Sequence, residues 1–108
     1  MNKFEVIILF QADLTNSVLN EQEDSFKNQL SQTNGAIINQ EDWGLKDLSY
    51  KIKKNKKAFY KLYQIEIEGS KIQEIKKTLT QNEKIIRYLF IKVDNHEILP
   101  TKQSIVEN

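Results

Sequence analysis

The heptapeptide FEVIILF, residues 4–10, restricts the fold more than any other stretch of the chain. Phe4, Val6, Ile8 and Phe10 fall on one side of an extended strand, and Ile7 and Leu9 on the other. Successive strand side chains point to opposite faces, so a segment apolar on both belongs in the middle of a sheet. A second such segment, IIRYLFIKV at residues 85–93, is apolar on both faces apart from Arg87 and Lys92.

The intervening sequence alternates between two periods. Val18, Leu19, Phe26 and Leu30 recur near the helical period within residues 15–33, and Asn34-Gly35 supplies a left-handed stop. A strand then begins at Ala36-Ile37-Ile38, with Gly44 marking a bulge or bend within it. Further on, Leu48, Tyr50 and Ile52 alternate with Asp47, Ser49, Lys51 and Lys53, the period of a half-buried strand. KKNKK, residues 53–57, reads as the hairpin loop, and Phe59, Tyr63, Ile65 and Ile67 lie on the returning strand. Gly69-Ser70 opens a second helix, where Ser70 and Gln73 have capping-box spacing and Ile72, Ile75 and Leu79 form the inward stripe.

The order is therefore β-α-β-β-α-β, which predicts an α+β, ferredoxin-like domain over residues 1–93. Right-handed crossovers put both helices on one face of a four-stranded antiparallel sheet. Residues 94–108 read as a flexible tail carrying two small apolar spots, Ile98-Leu99 and Ile105-Val106. Two helices cover only one sheet face, so the strands that are apolar on both sides predict a bare patch of the kind that receives a partner.

Chemistry is constrained mainly by what is missing. The chain has no cysteine, which excludes disulfides, thiolate metal sites and a cysteine nucleophile. Its three glycines are isolated, so there is no phosphate-cradling loop. The lone histidine, His96, falls in the expected tail beside Glu97 and reads as a solvent-exposed bystander. No catalytic, metal or cofactor site is indicated, and no small-molecule substrate. The longest apolar run, Val6 to Phe10, is far too short to span a membrane, and MNKFEVIILF lacks the features of a secretory signal; a cytoplasmic protein is expected.

Charge is the positive signal. Residues 1–42 carry two lysines against seven acids, while residues 43–61 carry seven lysines against Asp47 alone, a local net charge of +6. Six of those lysines lie between residues 51 and 61, interleaved with Phe59 and Tyr60 and flanked by Tyr50 and Tyr63. Cations that neutralise phosphates beside aromatics that stack on bases are a common way to hold RNA, although lysines also keep strand edges from pairing.

The stretch GLKDLSYKIK, residues 44–53, resembles the signature of the bacterial small-subunit ribosomal protein six family. That signature runs glycine, any residue, a basic residue, a polar residue, Leu, Ser or Ala, Tyr, any residue, Ile, then a basic or small residue. Gly44, Lys46, Asp47, Leu48, Ser49, Tyr50, Ile52 and Lys53 comply. FEVIILF, Asn34-Gly35, YKLYQIEI and IIRYLFIKV also sit at family-like positions, so the resemblance covers residues 3–93. It implies a structural, non-catalytic constituent of the small ribosomal subunit that binds the central domain of 16S rRNA together with small-subunit ribosomal protein eighteen.

Carried onto this chain, the resemblance makes Arg87 the arginine that opens the last strand and contacts phosphate. Lys3 stands where many members have arginine, keeping the charge without the bidentate geometry. The expected RNA-binding set is Lys3, Lys51, Lys53, Lys54, Lys56, Lys57, Arg87 and Lys92. Tyr50, Tyr60, Leu62, Ile98 and Leu99 are assigned to the partner protein. Members often have glycine where this chain has Ala58, which suggests a turn of different shape.

Two alternatives share the element order. A self-associating ligand-sensing domain would pair its bare sheet faces. An acylphosphatase-like hydrolase would need an anion loop with an arginine after the first strand, and QADLTNS, residues 11–17, has none.

Overall fold

A computed structural model of the chain describes residues 1–99. Its elements are β1 (Asn2–Gln11), α1 (Asn16–Gln32), β2 (Ala36–Ile52), β3 (Asn55–Ile67), a 3-10 turn (Gly69–Lys71), α2 (Ile72–Gln81) and β4 (Ile85–Val93). The strands form one sheet in the order β2-β3-β1-β4, antiparallel at every pairing, which is the ferredoxin-like arrangement. FEVIILF lies in an inner strand, between β3 and β4, as its two apolar sides require.

Phe4, Val6, Ile8 and Phe10 of β1 and Tyr63, Ile65 and Ile67 of β3 face the helices. Leu19, Phe26 and Leu30 of α1 and Ile72, Ile75 and Leu79 of α2 close over them in one core. Both helices thus cover the same side of the sheet. Thr15 caps α1, accepting from the Val18 N–H at 3.2 Å. The helix ends where Asn34 adopts a left-handed φ of 61° and the Gly35 N–H donates to the Leu30 carbonyl at 2.7 Å. Gly35 also suits the tight space: a Cβ there would be crowded, 3.0 Å from the Glu66 carbonyl oxygen. The capping box expected at Ser70 and Gln73 does not form. The chain enters α2 through the 3-10 turn, with no side-chain cap, and Asn2 instead accepts from the Gly69 N–H at 3.1 Å.

Gly44 marks the bulge its position suggested. The β2–β3 register slips between Asp42 and Gly44, Gly44 has a φ of 79°, and its N–H donates to Asp42 Oδ1 at 2.8 Å. The hairpin turn is tighter than KKNKK implied. Ile52 pairs with Asn55, leaving only Lys53 and Lys54 in the turn, with φ values of 50° and 69°. Ala58 lies inside β3, fully buried, rather than in the turn.

Positive φ at both central residues is the signature of a type I′ turn, which Asn-Gly adopts with far less strain than two lysines. The Asn55 side-chain amide partly compensates, donating to the Ile52 and Lys53 carbonyls at 3.2 and 3.1 Å. Replacing Lys53-Lys54 by Asn-Gly is expected to stabilise the fold by about 1 kcal/mol, measured by urea denaturation. No gain in stability would mean that the turn is not strained.

Candidate nucleic-acid interface

The hairpin projects beyond the end of β1, because Gln11 pairs with Ala58 while β3 starts three residues earlier at Asn55. Lys51, Lys53, Lys54, Lys56 and Lys57 are all exposed on it. Asp47 supplies a carboxylate 3.8 Å from Lys57, a pairing open to solvent and therefore weak. Arg87, near the start of β4 opposite Leu9, is exposed at the same end of the sheet. Lys53 and Arg87 line one hollow of about 160 Å³ together with Thr80 and Tyr88. The hairpin thus bends across the sheet toward β4, and six of the expected cations gather at one end.

Lys3 and Lys92 lie elsewhere. Lys3 pairs with Val93 and Lys92 with Phe4, at the opposite end of the sheet and on opposite faces of it. Leu9 lies six positions along β1 from Lys3, a distance of about 20 Å along the strand. Any RNA touching both groups must run along the sheet.

Two lysines counted in the +6 segment do not belong to the outward-facing hairpin set. Lys61 is 8% exposed, with Nζ 3.4 Å from Glu23 Oε2 and 3.8 Å from Asp42 Oδ2. Glu23, from α1, also accepts from the Tyr63 hydroxyl at 3.0 Å and from the Gln40 amide at 3.0 Å. Burial alone would raise the Glu23 carboxyl; the hydrogen bonds from Gln40 and Tyr63 and the charge of Lys61 outweigh it and hold the group below its usual value. Burial and the Glu23 charge push the Tyr63 phenol well above its ordinary range, so it remains a donor at neutral pH.

Lys46 packs its ammonium 5.2 Å from the Trp43 ring centroid and 5.7 Å from that of Tyr60, while the two rings stack at 6.4 Å. Sequence reasoning passed over this cluster. The available signal was an aromatic beside the bulge glycine, since the slipped register pairs Gly44 with Tyr60.

The sheet face away from the helices is only partly bare. Leu9, Ala58 and Ile86 form a second small core there, covered by Leu48 and Ile52 from the bent hairpin. An apolar cleft of about 260 Å³ remains between hairpin and sheet, lined by Ile7, Leu9, Tyr50, Tyr60, Arg87 and Leu89 among others. Leu89 and Ile91 stay 51% and 44% exposed along β4. Of the expected partner contacts, Tyr50 is exposed on the cleft rim and Tyr60 half-buried in its wall. Leu62 does not belong to the exposed surface: enclosed on an inner strand, it is 2% exposed. Ile98 is almost fully exposed and Leu99 half-buried; Ile105-Val106 lie outside the described residues.

His96 is not free in solvent. Its Nε2 lies 3.0 Å from the Ile65 carbonyl oxygen, and the backbone of Glu97 bonds to Glu5 and Gln64.

Fold and surface together define a ferredoxin-like domain with a basic hairpin, a partly bare apolar face and, among the described residues, no catalytic constellation. The model of the ribosomal protein S6 family matches residues 3–92. The chain is 32% identical over 101 residues to the small ribosomal subunit protein bS6 of Zymomonas mobilis, covering 94% of this chain and 82% of that protein. With the bS6 protein of Sinorhizobium fredii the identity is 35% over 101 residues, covering 94% and 68%. A crystal structure of 30S ribosomal protein S6 from Thermotoga maritima superposes with a TM-score of 0.80 at 18% identity, covering 85% of this chain and 87% of that one, a likeness of fold. This chain belongs to the ribosomal protein S6 family, whose members are structural ribosomal proteins and not enzymes.

Proposed function

We propose that this protein is a structural constituent of the small ribosomal subunit in the cytoplasm, binding the central domain of 16S rRNA jointly with small-subunit ribosomal protein eighteen. The observation that carries the reading is the gathering of Lys51, Lys53, Lys54, Lys56, Lys57 and Arg87 at one end of the sheet. Such a cluster neutralises consecutive phosphates and releases their counterions, with aromatic surface at Tyr50 alongside. Lys3 and Lys92, on opposite faces of the sheet, each provide a further phosphate contact about 20 Å away. The partner protein occupies the cleft at Tyr50 and Tyr60 and the exposed β4 residues, and reaches Ile98 and Leu99 beside them. Leu62 supports that face from inside.

Titrating a central-domain rRNA fragment in the presence of the partner protein, from about 50 to 200 mM salt, should lower affinity by about a thousandfold. A flat salt response would remove the electrostatic account.

A further inference from the structure

The segment after β4 doubles back onto the sheet face that the helices leave open. Glu5 and Gln64 are cross-strand partners on that face, and Gln64 is 1% exposed. The Glu97 N–H donates to Glu5 Oε2 at 2.7 Å, and the Gln64 side-chain amide donates to the Glu97 carbonyl oxygen at 2.6 Å. The same amide nitrogen also donates to Glu5 Oε2 at 3.2 Å, so the two side chains hold each other as they hold the peptide. Both groups bound are main-chain atoms of one residue, and residue 97 is itself exposed. His96 adds a further contact to the Ile65 carbonyl at 3.0 Å. A buried amide and a carboxylate that bind one residue's N–H and C=O recognise extended polypeptide irrespective of its side chain.

We propose that Glu5 and Gln64 form a main-chain reading site on the open sheet face. In the free protein residue 97 fills it, so the terminal segment competes with an extended segment of the partner protein. The proposal rests on the reading of that face as the partner's surface. Release of the strap frees the site and leaves Ile98 and Leu99 able to settle on the arriving partner. Apparent affinity is reduced by the fraction of molecules in which the strap is closed.

The test compares full-length wild type with Glu97→Pro, which lacks the N–H, and with Glu97→Ala, which keeps it. His96→Ala serves as a milder release. In solution NMR, the Gln64 side-chain amide protons should exchange at least about tenfold faster in Glu97→Pro than in wild type, and unchanged in Glu97→Ala. Calorimetry with the partner protein, without RNA, should show Glu97→Pro binding about three- to tenfold tighter, with His96→Ala in between and Glu97→Ala equal to wild type. Equal Gln64 exchange in wild type and Glu97→Pro would show that the strap is not seated. Faster exchange without tighter binding would show that it does not compete. If exchange responds but no variant binds the partner, the partner-face reading fails and the competition falls with it.

Discussion

Replacing Lys51, Lys53, Lys54, Lys56 and Lys57 together by glutamine is expected to lower rRNA affinity on the order of a hundredfold or more at low salt, leaving the fold intact. All five side chains are exposed, and none contributes to either apolar core. Their loss therefore removes charge without opening a cavity. Each lysine in phosphate contact adds about one unit to the slope of log affinity against log salt. Lys57 has Asp47 beside it and counts for less, so the slope should flatten by about four. The same titration on Lys3→Gln/Lys92→Gln should flatten it by about two. If the quintuple variant keeps the wild-type slope, the hairpin faces solvent in the assembled particle and the RNA-binding surface lies elsewhere. Circular dichroism and an unchanged denaturation midpoint would confirm that both variants remain folded.

The sheet and both helices were legible because their signals are local and redundant. Ile85–Val93 is delimited by its own composition, and Ile72, Ile75 and Leu79 lie one helical turn apart and are all buried. Features that depend on how distant segments meet were not legible. Lys61 shares the strand parity of Phe59, Tyr63, Ile65 and Ile67, and so points toward the helix side as its strand partner Ile8 does, but nothing nearby in the sequence shows what pairs its charge there. Glu23, 38 residues earlier, and Asp42 together make its burial tolerable. A charge count over residues 43–61 therefore overstates the outward positive charge.

The bare face was over-predicted for a related reason. Alternation shows which side chains share a face, but it cannot show that a hairpin with a two-residue turn bends back to lay Leu48 and Ile52 on Leu9. Nor does a polar stretch such as DNHE look structured. Its anchoring uses main-chain atoms of residue 97, which carry no sequence signal.

The Glu23 network yields the largest expected effect on stability. Replacing Glu23 by alanine removes the acceptor of Tyr63 and Gln40 and leaves Lys61, with a side chain only 10% exposed, dependent on Asp42 at 3.8 Å. Stripping one partner from a fully buried ion pair costs about 3–5 kcal/mol. Glu23 retains 21% exposure and Lys61 keeps a second carboxylate, so about 2–3 kcal/mol is expected at pH 7. A Glu23→Ala/Lys61→Met double variant should recover part of this, because it removes the stranded charge as well. The pH dependence has a defined sign. The folded-state carboxyl lies below its unfolded value, so its contribution is complete above about pH 4.3 and is lost as pH falls through the folded-state value. Urea denaturation should therefore show a gap between wild type and Glu23→Ala that narrows as pH falls from 7 toward 3. A gap that stays constant across that range would mean that Glu23 holds α1 to the sheet by packing alone, with its charge contributing nothing.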